Sequence, residues 1–237
     1  MRSKFFIFAY LFFILIVNCG SELYRPSKIS VPLGFRPAVM AIDPDLHLIE
    51  YSSLSDSRIL SSGVIAVFDS APQGYEIKNN WLSDKLFLLV RTDLGNIEDS
   101  PPKINSIADA MTYLKSIQQN EIENKIAVSD AVFSRIEECK GALSPLIDEY
   151  RLIEFDDPIL ALEKEESAAA IISGSERAAL AIRKGDIVER SVIINIEGSE
   201  RTLKLCVRKD DNSALLTSKL LIEKKYKAEK AGYEPAE

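Results

Sequence analysis

Short unbroken apolar runs alternate with helical segments along most of this 237-residue chain. Val64–Phe68 (VIAVF), the run inside Asp84–Asp93 (DKLFLLVRTD) and Ser167–Ser173 (SAAAIIS) have branched or small residues and no central charge, as strands buried on both faces do. Further strands are expected at 29–35, 47–51, 125–129, 151–155, 189–197 and 201–210. Helical periodicity fills the gaps. Ser106–Gln118 sets Ile107, Ala110, Met111, Leu114 and Ile117 on one face. Other helices are expected over 130–141, over 156–166 with Asp156 or Asp157 as cap and Pro158 in the first turn, and over 174–185. The Ser-rich stretch 52–63 predicts a helix stopped by Gly63. Residues 36–45 are too few for a full amphipathic helix. A long one begins near Asn212, with Leu215, Leu216, Leu220 and Leu221 apolar, and the end past Ala231 reads as fraying. Strands alternating with helices argue an α/β fold with mostly parallel sheets, with ligands beyond the carboxyl ends of the strands.

The first twenty residues read separately. Arg2 and Lys4 precede thirteen apolar residues, Phe5–Val17, and then Asn18-Cys19-Gly20. A basic head with so short an apolar run is an export signal; a membrane-spanning helix needs about 20 apolar residues. IVNC resembles the lipobox of bacterial lipoproteins, with Asn18 where a small residue is usual. The resemblance implies cleavage after residue 18, acylation of Cys19, and attachment to a bacterial membrane on its extracytoplasmic side, facing the periplasm or the surface. An ordinary uncleaved anchor, or a plain secretory signal with an incidental cysteine, is the alternative. The polar Ser21–Ser30 reads as a tether.

Bulk charge excludes one class of partner. The chain carries −7, and −9 once Arg2 and Lys4 leave with the signal, which does not suit nucleic-acid phosphates. Cys139 and Cys206 could pair in an oxidising compartment but read rather as two separately buried thiols, and His47 stands alone, so neither a metal site nor a cofactor is called for. GxSxG, HExxH and P-loop motifs are absent. The paired acids Asp156-Asp157 and Glu165-Glu166 sit in helix-start or surface contexts, and the chain is read as a non-enzyme.

Three segments resemble the type 2 periplasmic binding proteins, the solute-binding subunits of ABC importers. They are DPILALEKEESAAAIISGSERAALAIRKG, the pair LFLLVRTD and LKLCVRKDD…LLTSKLLIE, and LIEYSSLSDSRILSSGVIAVFDSA. The resemblance implies a two-lobed fold after a signal peptide at 1–18 and a tether at 19–28. Lobe one would span about 29–90 plus 190–226 and lobe two about 91–189, with a tail at 227–237. The short segment between Phe35 and His47 and VSDAVFS in place of a Gly-rich helix start depart from the family pattern.

A hinged two-lobed binder takes its contacts from helix N-termini and post-strand loops. That rule selects Arg36, Ser52, Ser53 and Asp69 in lobe one, Arg91 (with Thr92) near the crossover, and Ser129, Ser173, Ser175 and Arg177 in lobe two. Hydroxyls with arginine suit a small anionic or zwitterionic solute. The same residues also read as helix caps and surface charges. Two functions follow: solute capture for an ABC importer, or an envelope interaction lipoprotein that kept the fold and lost transport. A polar cleft lined by these residues favours the first, and a filled cleft beside an exposed apolar patch favours the second.

Overall fold

The structure, a computed structural model, describes residues 27–94, 103–117, 125–182 and 186–236. The expected signal, Cys19, most of the tether and the expected helix end at Gly185 lie outside them. The chain is tied down from Ser27 onward, where its N–H donates to Thr217 Oγ1 at 3.0 Å. No helix among the described residues is long and apolar enough to cross a membrane.

Two sheets make two lobes. In lobe one, β1 (Ile29–Pro32), β2 (Leu48–Tyr51) and β3 (Val64–Val67) run parallel. With β4 (Tyr75–Asp84), β10 (Arg201–Arg208) and β11 (Glu234–Pro235) they give the order β11-β4-β10-β3-β1-β2. Lobe two has the order β7-β6-β8-β5-β9 from β5 (Leu86–Arg91), β6 (Lys125–Val128), β7 (Arg151–Glu154), β8 (Ala169–Ser173) and β9 (Ser191–Asn195). The chain passes between lobes at Lys85 and returns through 196–200, rather than near 90 and 190. The apolar run is already a lobe-two strand from Leu86.

Both sheets are mixed, which corrects the expectation of mostly parallel ones. β10 is antiparallel to β3 and β4, and β5 to β8 and β9. The crossover explains this. The parallel strands β1–β3, β6 and β8 end at the seam between lobes. A strand entering a lobe must run away from the seam, and so lies against them. Strand β4, which carries charge and polarity along most of its length, was not anticipated.

Helices begin where local chemistry favours them. Ser106 accepts from Asp109 N–H at 3.1 Å and caps α2 (Ile107–Ser116), following the seven-residue α1 (Arg36–Ile42). The expected helix over 130–141 is instead α3 (Asp130–Phe133) and α4 (Lys140–Ile147), and the turn between them carries Arg135 inward. Asp157 caps α5 (Pro158–Glu163), accepting from Ile159 and Leu160 N–H at 3.1 and 3.0 Å. Then come α6 (Gly174–Ile182), directly off β8, and α7 (Asp186–Glu189). The Ser-rich 52–63 stretch forms only a 3₁₀ turn at Ile59–Ser61. Ser53 and Asp56 accept from the backbone N–H of Ser55 and Arg58, two residues on, and such local bonds compete with helix.

The last helix, α8 (Asn212–Glu223), is shorter than expected and leaves Leu216 half exposed. A 3₁₀ segment (Lys225–Ala231) follows, and then β11. This end is docked, not frayed: Tyr233 and Ala236 are buried, and β11 pairs with β4.

Period-two alternation explains the unbroken apolar runs. In β3, Val64 and Ala66 join one core while Ile65 and Val67 join another on the opposite face. In β5, Leu86, Leu88 and Val90 divide from Phe87 and Leu89 in the same way. Cys139 and Cys206 are free and buried, in cores of different lobes. Burial pushes the Cys206 thiol up to about 11.

Candidate functional site

Strand direction places the seam. In lobe two the carboxyl ends of β6 and β8 deliver Ser129 and Ser173 to one edge, where Leu86 pairs with Ser173. Lobe one brings the ends of β1, β2 and β3 to its own seam edge, where Arg201 pairs with Asp84. This is the edge at which α/β sheets bind ligands.

Asp84, the last residue of β4, is 2 % exposed and bridges the lobes. Its Oδ1 accepts from Gly174 N–H at 3.0 Å, at the start of α6. Its Oδ2 accepts from Arg135 Nη1 at 2.8 Å and Arg201 Nε at 3.1 Å. Arg135, equally buried, also donates through Nη2 to Ser199 O at 2.8 Å. Burial lowers the Arg135 pKa, and the Asp84 charge opposes that shift. Arg201 in turn lies 3.5 Å over the Phe68 ring. A helix N-terminus and two guanidiniums thus form a carboxylate cradle, and the chain's own aspartate fills it.

A second set of contacts closes the seam from the C-terminal side. The Tyr233 hydroxyl donates to Gly34 O, and its ring lies 5.5 Å from that of Phe35. Glu234 sits 2.9 Å from Lys85 and 3.3 Å from Arg177. Arg177 also covers the Phe87 ring at 4.6 Å. Ala178 of α6 packs into the lobe-one core. The lobes touch directly as well: a Cβ on Gly34 would meet Ser175 Oγ at 2.8 Å.

Two spaces adjoin these contacts. A cavity lined by Lys85, Phe87, Gly174, Arg177, Tyr233 and Glu234 measures about 10 Å³, room for one water. Beside it, an apolar pocket of about 230 Å³ is lined by Arg177, Leu180, Val188, Ile193 and Gly232.

The residues selected from sequence meet mixed fates. Ser129 is buried and caps α3, accepting from Val132 N–H at 3.3 Å. Ser173, also buried, bonds to Ser175 Oγ at 3.0 Å and donates to Glu176 Oε2 at 2.9 Å. Ser173, Ser175 and Arg177 are thus brought together at the seam edge of lobe two. Arg36 is largely exposed, 4.0 Å from Glu50. Ser52, Ser53 and Asp69 are exposed after their strands. Arg91 is not at the crossover. Because β5 runs against β8, Val90 pairs with Ala169, and Arg91 ends at the opposite edge of the sheet from Ser173. There it is buried, held by two Asp93 oxygens at 2.8 Å each and by Leu162 O at 3.0 Å.

Sequence reading missed Asp84, Lys85, Arg135, Arg201, Tyr233 and Glu234. One signal was available: Arg135 interrupts the apolar positions of an expected helix. Asp84 and Lys85 looked like an ordinary polar strand start.

No family model and no curated protein matches the chain. Solved structures match its fold. An ancestral cationic amino acid solute-binding protein is 13% identical with TM-score 0.53, over 86% of this chain and 92% of that one. The GluR0 ligand-binding core in complex with L-glutamate is 12% identical with TM-score 0.50, over 87% and 96%. The regulatory domain of MetR, a LysR-family regulator from N. meningitidis, is 13% identical with TM-score 0.52, over 89% and 97%. These neighbours are binding proteins and regulatory domains. The chain has their two-lobed α/β fold, that of type 2 periplasmic binding proteins, with mixed sheets.

Proposed function

We propose that this is an extracytoplasmic lipoprotein, anchored through Cys19 to a bacterial envelope membrane, that keeps a solute-binding fold with its lobes latched and works by engaging a protein partner. One observation carries the reading. The cradle formed by Gly174 N–H, Arg135 and Arg201 at the seam is filled by Asp84, a carboxylate belonging to the chain itself. A solute entering there would have to displace a buried charge that three donors satisfy. Removing one partner from such a pair costs about 3–5 kcal/mol.

A second reading is capture of a small anionic or zwitterionic solute for an ABC importer. Lys85 and Arg177, two cations beside the small seam cavity, favour it. So does the likeness to a binding core solved with L-glutamate.

A thermal-shift screen of the chain from Gly20 onward, against pooled amino acids, oxyanions, sugars and short peptides, separates the readings. Ligand at 100-fold its dissociation constant adds about 2.7 kcal/mol, several degrees for a chain of this size. The latched reading expects no shift from amino acids, oxyanions or sugars. A shift from any of these that disappears in Arg177→Ala would reverse the preference.

A further inference from the structure

We propose that the groove holding the C-terminal segment Gly232–Ala236 is a peptide-binding site, that this segment occupies it as a built-in ligand, and that the partner is an extended polypeptide segment carrying an aromatic residue followed by an acidic one. The proposal deepens the partner reading and rests on it.

The segment is held as a bound peptide is held. It adds a strand to the edge of β4, with Glu234 opposite Ser83 and Pro235 opposite Leu82. Ala236 N–H donates to Trp81 O at 3.0 Å. Main-chain pairing of this kind gives affinity to any extended chain, and side-chain sockets give selectivity. Two sockets are present. The first takes the Tyr233 ring, 4 % exposed, against Phe35, and receives its hydroxyl at the Gly34 carbonyl. The second takes the Glu234 carboxylate between Lys85 and Arg177. Both lie on the seam, so an occupant touches each lobe.

The built-in occupant leaves part of the groove empty. The apolar pocket of about 230 Å³ adjoins Gly232. Gly232 has φ +85°, and a Cβ there would lie 3.0 Å from Ala178 Cα, so the chain's own segment cannot fill the pocket with a side chain at this residue. A separate peptide has no such bend to make. It can lay an apolar side chain on Leu180, Val188 and Ile193 just before its aromatic residue. A partner with apolar, aromatic and acidic residues in succession then makes a contact the internal segment lacks.

The test cuts the covalent link and leaves the site. A protease recognition sequence is inserted between Ala231 and Gly232 of the full chain, and the folded protein is cleaved. Uptake of a fluorescein-labelled Gly-Tyr-Glu-Pro-Ala peptide is followed by anisotropy, with fold checked by circular dichroism. The cut protein should bind at least tenfold tighter than the uncut one. Alanine in place of the peptide's tyrosine or glutamate should weaken binding at least tenfold, and leucine in place of its glycine should strengthen it. Cut protein that stays folded and takes up no peptide overturns the proposal, as does equal binding by the uncut chain.

A second measurement needs no cleavage. In the intact wild-type chain, excess leucine-substituted peptide should speed amide exchange at Tyr233 and Ala236 severalfold, and no change there overturns the proposal. The cut leaves the Asp84 cradle untouched. Failure of the peptide site therefore leaves the latched reading standing on another surface, whereas a solute found by the thermal-shift screen overturns that reading instead.

Discussion

Asp84 is the residue on which the seam depends. Its carboxylate answers two guanidiniums and a helix N-terminus at a site only 2 % exposed. The attraction offsets a desolvation cost that neither partner could bear alone. Asp84→Ala should therefore lose about 3–5 kcal/mol of stability in urea unfolding, because Arg135 is left buried and charged. The double variant Asp84→Asn, Arg135→Met should recover most of that loss, since replacing a buried ion pair by neutral groups of similar volume is often neutral. An Asp84→Ala variant as stable as wild type would mean that Arg135 finds solvent, and that the lobes are not latched there.

Among the elements, the C-terminal strap of 3₁₀ segment and β11 differs most from its sequence reading. A mixed-charge stretch predicts fraying, yet the tilted ring contact of Tyr233 with Phe35 contributes about 0.5–1.5 kcal/mol beyond burial. The hydrogen bond from Lys85 holds the Glu234 carboxyl below the usual glutamate range. The hydrogen bonds to Glu234, and then Glu200, raise Lys85 above the usual lysine range. The lowered Glu234 value contributes stability above the unfolded glutamate pKa, which is lost as pH falls through the folded value. The raised Lys85 value contributes below the unfolded lysine pKa, which is lost as pH rises through the folded value. The strap's ionic hold is thus complete between about pH 5 and about pH 10. Melting temperatures of wild type and Glu234→Gln should differ across that window and converge toward pH 3. A difference that does not change with pH would assign the strap's hold to Tyr233 alone.

For the whole molecule, the two crossings at Lys85 and 196–200 make each lobe depend on the other's chain, and Ala178 and Tyr233 carry one core across the seam. On the latched reading proposed above the two lobes stay together, and the proposed lipid at Cys19 sets where they sit. Stable attachment takes two acyl chains. Cys19→Ala, expressed in a bacterium that acylates lipoproteins, should move the protein from the membrane fraction to the soluble one. Retention in the membrane fraction would reject the lipid anchor.

Much of the order of strands and helices was legible, because burial on two faces writes itself as uninterrupted runs such as VIAVF and LFLLV, and a half-buried helix as the period of Ile107, Ala110 and Leu114. The cap at Asp157, one of the two aspartates expected there, was legible too, since it acts on neighbours two or three residues away. Ser173, Ser175 and Arg177 could be picked because they follow a readable strand directly. Arg91 went astray because its place depends on whether β5 runs with or against β8, which no local pattern records. Asp84 and Arg135 are 51 positions apart, and Tyr233 meets Gly34 across 199. Sequence periodicity reports how each segment meets solvent. Only the closed tertiary structure decides which charge faces which, and whether the space between two lobes is a cleft or a seam.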